Sequence, residues 1–318
     1  MFNLNVGDIS HAIPDAWKVN GHARAVYSGY HCLSPESPSL KSGWLVDLGD
    51  AVVFAVWGEC QYFDNLHKPK LDFNADGALQ FTPVSRGQVS TEKQANIIIL
   101  QRVLAGQEHN DPYFEDARKA ICGLLSVNFS GSVTYSQLFV NFIDTKKREL
   151  GAFVGTLNVK SALLFQPIFS QERADHTAKV YDAILRKKEL GHRYLRALHW
   201  YDIGHRSTDS LDAFINIWIG IEALVLNQQS NIYPLKKSIG DAYGLSVEKA
   251  NSFFGIGRIF NIRSDLFHGQ DRPQVSILFV EYLEALFADI LHQELSLKCE
   301  ERAKIFLNGK NFDQSGLV

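Results

Sequence analysis

The sequence lacks long hydrophobic runs and an N-terminal targeting pattern. No apolar run reaches the roughly 18 to 20 residues that a membrane helix needs. The first residues, MFNLNVGDISHAIPDAW, contain no basic segment followed by an apolar core. Both absences argue against a membrane-spanning or exported protein. We therefore expect a cytoplasmic protein with no membrane partner.

The chain also carries little net charge, with a formal value of -3 at pH 7. Proteins that coat nucleic acid through bulk charge need a strongly basic face or tail. The net charge argues against that class, so any contact with RNA must be local.

Cysteine is scarce, and the cysteines lie far apart. They are Cys32, Cys60, Cys122 and Cys299. No two of them have the close spacing of a zinc site or of a secreted disulfide framework. We expect reduced, mostly buried thiols.

The chain does have enough apolar sequence for two domains. Apolar residues make up 46% of its 318 residues and charged residues 21%, which is typical of a folded, soluble protein. The residue pattern changes near position 170. Residues 1–169 predict an α+β domain, and residues 170–318 predict an all-α antiparallel bundle.

The N-terminal domain mixes short strand patterns with two helix patterns. Strands are predicted over residues 44–57, with a hairpin turn at Gly49-Asp50, and over residues 135–143 and 152–169. One helix is predicted over residues 91–104. A second begins at Asp111, an acceptable N-cap that precedes a proline.

From residue 171 onward, apolar residues recur every three or four positions and prolines are rare. Long helices are predicted over 180–201, 210–226, 247–268 and 274–306, with a short one over 234–243. The helix over 210–226 is apolar nearly all round, so it should be the central, buried one. Residues 207–209 offer N-cap chemistry just before it.

The most informative segment is FNIRSDLFHG, residues 260–269, because it places Arg263 and His268 near a helix end. Residues five apart on a regular helix are separated by roughly 140° and about 7.5 Å. Gly269 is well suited to end the helix there. His268 would then lie at the frayed end, free to turn back toward Arg263.

Three segments together carry a family resemblance. They are Ala197-Leu198-His199-Trp200-Tyr201, then Leu211-Asp212-Ala213-Phe214 followed by Trp218-Ile219-Gly220-Ile221-Glu222-Ala223-Leu224, and finally Ile262-Arg263-Ser264-Asp265-Leu266-Phe267-His268-Gly269. In this order they resemble the Apea-like branch of the HEPN-domain ribonucleases, whose motif is an arginine and a histidine separated by four to six residues. Such enzymes often carry Asn, Asp or His directly after the arginine, whereas this chain has Ser264 and then Asp265.

The resemblance implies a metal-independent endoribonuclease without a cofactor, acting in a prokaryotic antiviral defence or toxin–antitoxin system. Arg263 and His268 would be the catalytic residues, with Ser264 and Asp265 in support. It also implies a homodimer in which two motifs share one composite active site. An antitoxin or activator protein is a possible further partner, and the N-terminal domain would act as sensor, regulator or docking domain.

The two residue types fit RNA cleavage by the 2′-hydroxyl. Histidine titrates near neutrality and can transfer the protons, while arginine stays cationic and stabilises the charged phosphate.

The structural alternative is that Arg263 pairs with a carboxylate and His268 caps the last helix carbonyls. At the level of function, the alternative is a non-catalytic HEPN module that dimerises and binds RNA or protein.

Glu222 is the next candidate, because a carboxylate in an apolar helix needs a cationic partner. We predict that Glu222 reaches the motif helix and orients Arg263; the alternative is an ordinary structural salt bridge elsewhere.

A basic group precedes the central helix. A solvated helix face is the preferred interpretation of this group, and the alternative is that it lines an RNA path. Its members are Lys187, Lys188, Arg193 and Arg196. The nearby His192, His199 and His205 do not have the spacing of metal ligands on one helix face, so no metal site is expected.

A third possible class of function is small-molecule binding by the N-terminal domain, in a pocket near Trp44 and Trp57. These tryptophans are equally suited to a strand core.

Overall fold

The structure is a computed structural model. It describes residues 13–21, 23–33, 45–55, 71–73, 79–81, 97–108, 111–129, 134–144, 148–149, 171–226, 231–267 and 275–309. The chain divides into two compact units. One contains Met1–Phe114, Tyr135–Leu157 and Phe169–Ala174, and the other contains Glu115–Thr134, Asn158–Ile168 and Asp175–Val318. The second unit therefore includes residues 115–134, which precede the predicted boundary at residue 170.

The first unit is built around an antiparallel sheet. Its described strands are β1 Arg24–Leu33, β2 Leu45–Asp47, β3 Ala51–Ala55, β6 Ile97–Arg102, β7 Thr134–Asp144 and β8 Arg148–Glu149, in the order β2-β3-β6-β1-β7-β8. A separate pair consists of β4 Leu71–Phe73 and β5 Leu79–Phe81.

The helices lie mainly in the second unit. They are α1 Pro112–Asn128, α2 Gln171–Arg186, α3 Glu189–Arg206, α4 Ser210–Val225, α5 Tyr233–Tyr243, α6 Val247–Phe254, α7 Ile256–Phe267, α8 Ile277–Glu294 and α9 Arg302–Gly309. A strand-containing N-terminal region followed by a helical C-terminal region is therefore confirmed at this level.

The predicted hairpin is present as β2 and β3, which pair antiparallel with Val46 opposite Val53. Gly49 in the turn has a φ of 80°, a value that favours glycine, and its N–H donates to Asp47 Oδ1 at 2.9 Å. The predicted strand over 135–143 corresponds to β7. Residues 44, 56 and 57 and the predicted strand over 152–169 lie outside the described residues.

The predicted helix over residues 91–104 is wrong in its described part, because residues 97–102 form strand β6. This strand lies between β3 and β1, and its residues Ile97–Leu100 are fully buried. A strand covered on both faces shows no apolar–polar alternation. The run of three isoleucines favours a strand, and its continuous apolar character explains why periodicity misassigned it.

Helix α1 begins where the sequence predicts. The backbone N–H of Tyr113 donates to Asp111 Oδ1 at 2.9 Å, so Asp111 satisfies one N–H of the first turn. The helix is buried almost continuously from Ala120 to Phe129, which makes it a core element.

Three of the predicted long helices are each interrupted. Lys188 separates α2 from α3 with a φ of 49°, and Gly255 separates α6 from α7 with a φ of 63°. The last predicted helix ends at Glu294 and resumes as α9 at Arg302. Apolar periodicity continues through one left-handed residue or a short loop, so it did not reveal these breaks.

Helix α4 is the central helix, as predicted, and packs against α3 and α8. Asp209 caps it by accepting the backbone N–H groups of Leu211 and Asp212. Trp218 on this helix is fully buried. Gly220 lets α3 approach closely, because a Cβ there would lie 3.0 Å from the Ala197 carbonyl oxygen.

The fully buried Asp289 ties three helices together. Its carboxylate accepts the Tyr243 hydroxyl from α5 and the Ala303 N–H of α9, the latter at 2.8 Å. The Cys299 thiol donates to Asp289 Oδ1 at 3.3 Å. Burial and the neighbouring carboxylate raise the pKa of Cys299 to about 12, so this thiol stays protonated at neutral pH. Cys122 on α1 is buried as well.

The contact between α1 and α3 gives a test of the packing. A Cβ on Gly123 would lie 2.2 Å from the Leu198 carbonyl oxygen. We expect Gly123→Ala to destabilise the protein by about 1–3 kcal/mol, because backbone must move to admit the methyl group. Urea unfolding followed by circular dichroism measures the loss.

Gly309→Ala is the matched control, since a Cβ there meets nothing within 4 Å. Equal unfolding midpoints for the two variants would contradict the described packing of α1 on α3.

Candidate functional site

An open groove of about 510 Å³ lies among α3, α4 and α7 in the second unit. We call it the Arg263 groove. Its lining residues are Arg196, Trp200, Ile219, Glu222, Ala223, Leu226, Phe260 and Arg263. It therefore brings together the motif arginine, the predicted partner carboxylate and one of the predicted RNA-binding residues.

Helical spacing explains how these residues share one groove. Arg196 and Trp200 lie four positions apart on α3, while Phe260 and Arg263 lie three apart on α7. Residues at these spacings occupy one face of a helix. Each of the two helices thus contributes one aromatic ring and one guanidinium group.

Glu222 and Arg263 form an ion pair across α4 and α7. Arg263 Nε lies 3.4 Å from Glu222 Oε1, and Nη2 donates to Oε2 at 3.4 Å. The Glu222 side chain is 19% exposed and that of Arg263 is 32% exposed. The pair that the sequence predicts is thus present. Its function in positioning Arg263 for chemistry stays a prediction.

A third residue holds the carboxylate in place. The indole Nε1–H of the fully buried Trp218 donates to Glu222 Oε1 at 2.9 Å. Trp218 and Glu222 lie four apart on α4, so the same helix supplies both the carboxylate and a donor that orients it. Charge-assisted hydrogen bonds of this kind offset the cost of burying a carboxylate.

The groove carries more positive than negative charge. Its lining residues include two guanidinium groups and one carboxylate, and Arg196 is exposed. The Arg263 side chain is partly exposed and lines the groove. An anionic ligand is therefore favoured over a cationic one.

The other motif residues have different positions. Ser264 is half-buried and Asp265 is exposed on α7, and neither lines the Arg263 groove. Helix α7 ends at Phe267. His268 follows immediately in the sequence, and both His268 and Gly269 lie outside the described residues.

The four residues of the predicted basic group have different surroundings. Lys187 and Lys188 occupy the break between α2 and α3. Arg193 Nη2 donates to the Leu224 carbonyl at 3.0 Å, and its guanidinium lies 5.6 Å from the centre of the Tyr194 ring. Of the four residues, Arg196 is the one that lines the Arg263 groove.

The clustered histidines have local partners. His199 Nδ1 lies 3.6 Å from Asp116 Oδ1, and burial, together with the Lys119 charge, lowers the pKa of His199. His205 Nδ1 lies 3.1 Å from Glu284 Oε1. In the part of the chain that the structure describes, no group of three or more His, Cys, Asp or Glu residues is arranged to hold a metal ion.

Sequence reasoning did not identify Trp200, Phe260 or Trp218 as members of the site. Their spacing from residues already singled out was an available signal: Trp200 follows Arg196 by four positions, Phe260 precedes Arg263 by three, and Trp218 precedes Glu222 by four. Aromatic residues at such spacings usually belong to a core, which is why they were overlooked.

Comparison with protein-family models, with curated proteins and with solved structures finds no match to this chain. Among the helices described, none has both the length and the apolarity that crossing a membrane requires.

The Arg263–Glu222 pair can be tested by a double-mutant cycle on stability. We expect Glu222→Gln and Arg263→Gln each to destabilise the protein, with a coupling energy of about 1 kcal/mol, because each variant removes the same interaction. Denaturant unfolding of the parent, both single variants and the double variant gives this value.

A second cycle combining Glu222→Gln with Arg186→Gln serves as the control, since Arg186 is exposed at the end of α2. Additive effects in both cycles would mean that the pair makes no contribution in solution.

Proposed function

We propose that this protein is a metal-independent endoribonuclease that cleaves RNA through attack of a 2′-hydroxyl on the adjacent phosphodiester. The observation that carries the proposal is the placement of Arg263. This residue lies five positions before His268, is held by Glu222, and lines an open groove that contains a second arginine. A phosphate group fits that combination of charge and access.

The chemistry assigns separate tasks to the two motif residues. The His268 imidazole takes the proton of the 2′-hydroxyl or gives one to the departing 5′-oxygen, since histidine titrates near neutrality. The Arg263 guanidinium stabilises the negative charge that develops on the phosphorane oxygens. The products are a 2′,3′-cyclic phosphate and a 5′-hydroxyl.

Glu222 acts as a positioning residue in this scheme. Its two oxygens face the Nε and Nη2 atoms of Arg263, each at 3.4 Å, and the Trp218 indole N–H donates to Oε1 at 2.9 Å. Fixing a long side chain before substrate binds lowers the entropy lost when it contacts the phosphate. Ser264 and Asp265 on the same helix support the motif.

One histidine serves two proton transfers poorly, so we propose a two-fold dimer. Two copies of Arg263 and His268 then face one cleft and supply a base and an acid together. A protein that remains monomeric while it cleaves RNA at full rate would contradict this part of the proposal.

The cellular setting follows from the resemblance to Apea-like HEPN ribonucleases. We propose a function in prokaryotic defence or in a toxin-like system, with cleavage in the cytoplasm. The first unit would sense a signal or dock a partner such as an antitoxin or activator protein.

One observation favours a second candidate, a non-catalytic HEPN module that binds RNA or protein. Arg263 is already engaged by a carboxylate, and such a pair is also what a purely structural arginine would make. Measurement of RNA cleavage separates the two functions.

We expect purified protein to cut RNA in the presence of a chelator and to leave cyclic phosphate ends. His268→Ala and Arg263→Ala should each lower the rate about 100-fold or more, because each removes a group that acts in the transition state. Glu222→Gln should lower it about tenfold while leaving the fold intact, since it loosens Arg263. Gel analysis of labelled RNA gives the rates.

His192→Ala and Arg186→Ala are matched controls, because both residues are exposed on neighbouring helices. Cleavage that requires a divalent metal, or that persists in both motif variants, would refute the nuclease proposal. Binding of RNA without cleavage would favour the non-catalytic module.

A further inference from the structure

We propose that the Arg263 groove is a nucleotide subsite in which an unpaired RNA base stacks on Trp200 and Phe260 while the neighbouring phosphate pairs with Arg196. The inference rests on the proposed function in taking RNA as the ligand. It adds residues that determine which form of RNA is bound.

The lining of the groove is suited to an aromatic ring the size of a nucleobase. Trp200 from α3 and Phe260 from α7 are both half-buried, so part of each ring remains accessible. The remaining apolar lining comes from Ile219, Ala223 and Leu226. Bases stack on aromatic side chains whatever their identity, because every base has a flat π-face.

The charges of the groove fit a base attached to a phosphate. Arg196 is exposed and lies one helical turn from Trp200, so a phosphate at Arg196 leaves the attached base near the indole. Glu222 would repel a phosphate, but its oxygens face Arg263 and the indole N–H of Trp218. With two guanidinium groups and one carboxylate, the lining of the groove has a net positive charge, which favours the anionic phosphates of an incoming strand.

A subsite of this kind selects for single-stranded RNA. In an A-form duplex the bases are stacked on each other and their faces are covered. A base can enter the groove only after it leaves that stack, and this costs free energy in a duplex but little in a loop or an unpaired strand. The groove should thus favour unpaired RNA over duplex RNA.

The test is a binding experiment with the full chain and RNA that cannot be cleaved. The probes are a fluorescein-labelled 12-nucleotide single strand with 2′-O-methyl groups and a duplex of the same sequence. Trp200→Leu should weaken binding of the single strand about tenfold, because one stacking contact is lost. Binding of the duplex should change less than twofold, and Trp200→Phe should restore most of the affinity.

Phe260→Leu should likewise weaken binding of the single strand more than binding of the duplex. Tyr233→Leu is the matched control, since Tyr233 is an exposed aromatic residue on α5 that does not line the groove.

Arg196→Ala should weaken binding of the single strand and reduce the slope of log affinity against log salt by about 0.7 to 1, as loss of one phosphate contact requires. Arg196 is exposed, so this variant tests the subsite even if Trp200→Leu does not fold.

Unchanged affinity in Trp200→Leu and Arg196→Ala would overturn the subsite, and so would equal weakening for the single strand and the duplex. An acidic helical peptide that binds the groove while the RNA single strand does not would also overturn it. Because the probe cannot be cleaved, this result does not depend on the cleavage reaction. If the subsite variants bind the single strand with unchanged affinity and the protein cleaves RNA, this inference alone is refuted. If the variants lose affinity as expected and the protein does not cleave RNA, only the nuclease proposal is refuted.

Discussion

The ion pair between Arg263 and Glu222 joins α4 to α7, two of the three helices around the Arg263 groove. A carboxylate within an apolar helix is stable only with donors close by, and here Arg263 and the Trp218 indole supply them. Both residues of the pair also line the open groove. One electrostatic requirement of the fold therefore also places the cation that the proposed chemistry needs.

The position of α4 explains why this pair exists. Its apolar surface is covered by α3 and α8, and Asp209 caps its first turn. Glu222 lies near the end of this helix, where α7 approaches and the helix surface is not fully covered. The pair is thus buried enough to be oriented and exposed enough to meet a ligand. Asp289 fixes other helices of the same unit by the same principle, using a hydroxyl, a thiol and a backbone N–H.

The helical half of the fold was largely predictable, because apolar periodicity and cap residues such as Asp111 and Asp209 are local signals. Glu222 and Arg263 could be paired from sequence, since a buried carboxylate requires a cation. Strand β6 was misassigned because a strand buried on both faces has no alternation. The breaks at Lys188 and Gly255 were missed because apolar periodicity continues through them. The aromatic rings of the groove come together through packing between helices, which no single segment encodes.

The most direct measurement of the central claim is a crystal structure of the protein with a short RNA that carries a 2′-deoxy substitution at the cleaved position. We expect the phosphate next to that position to lie within hydrogen-bond distance of Arg263, with Glu222 still against Nε and the imidazole of His268 beside the same phosphate. A phosphate bound elsewhere, with Arg263 directed only at Glu222 and His268 remote from the RNA, would contradict the account.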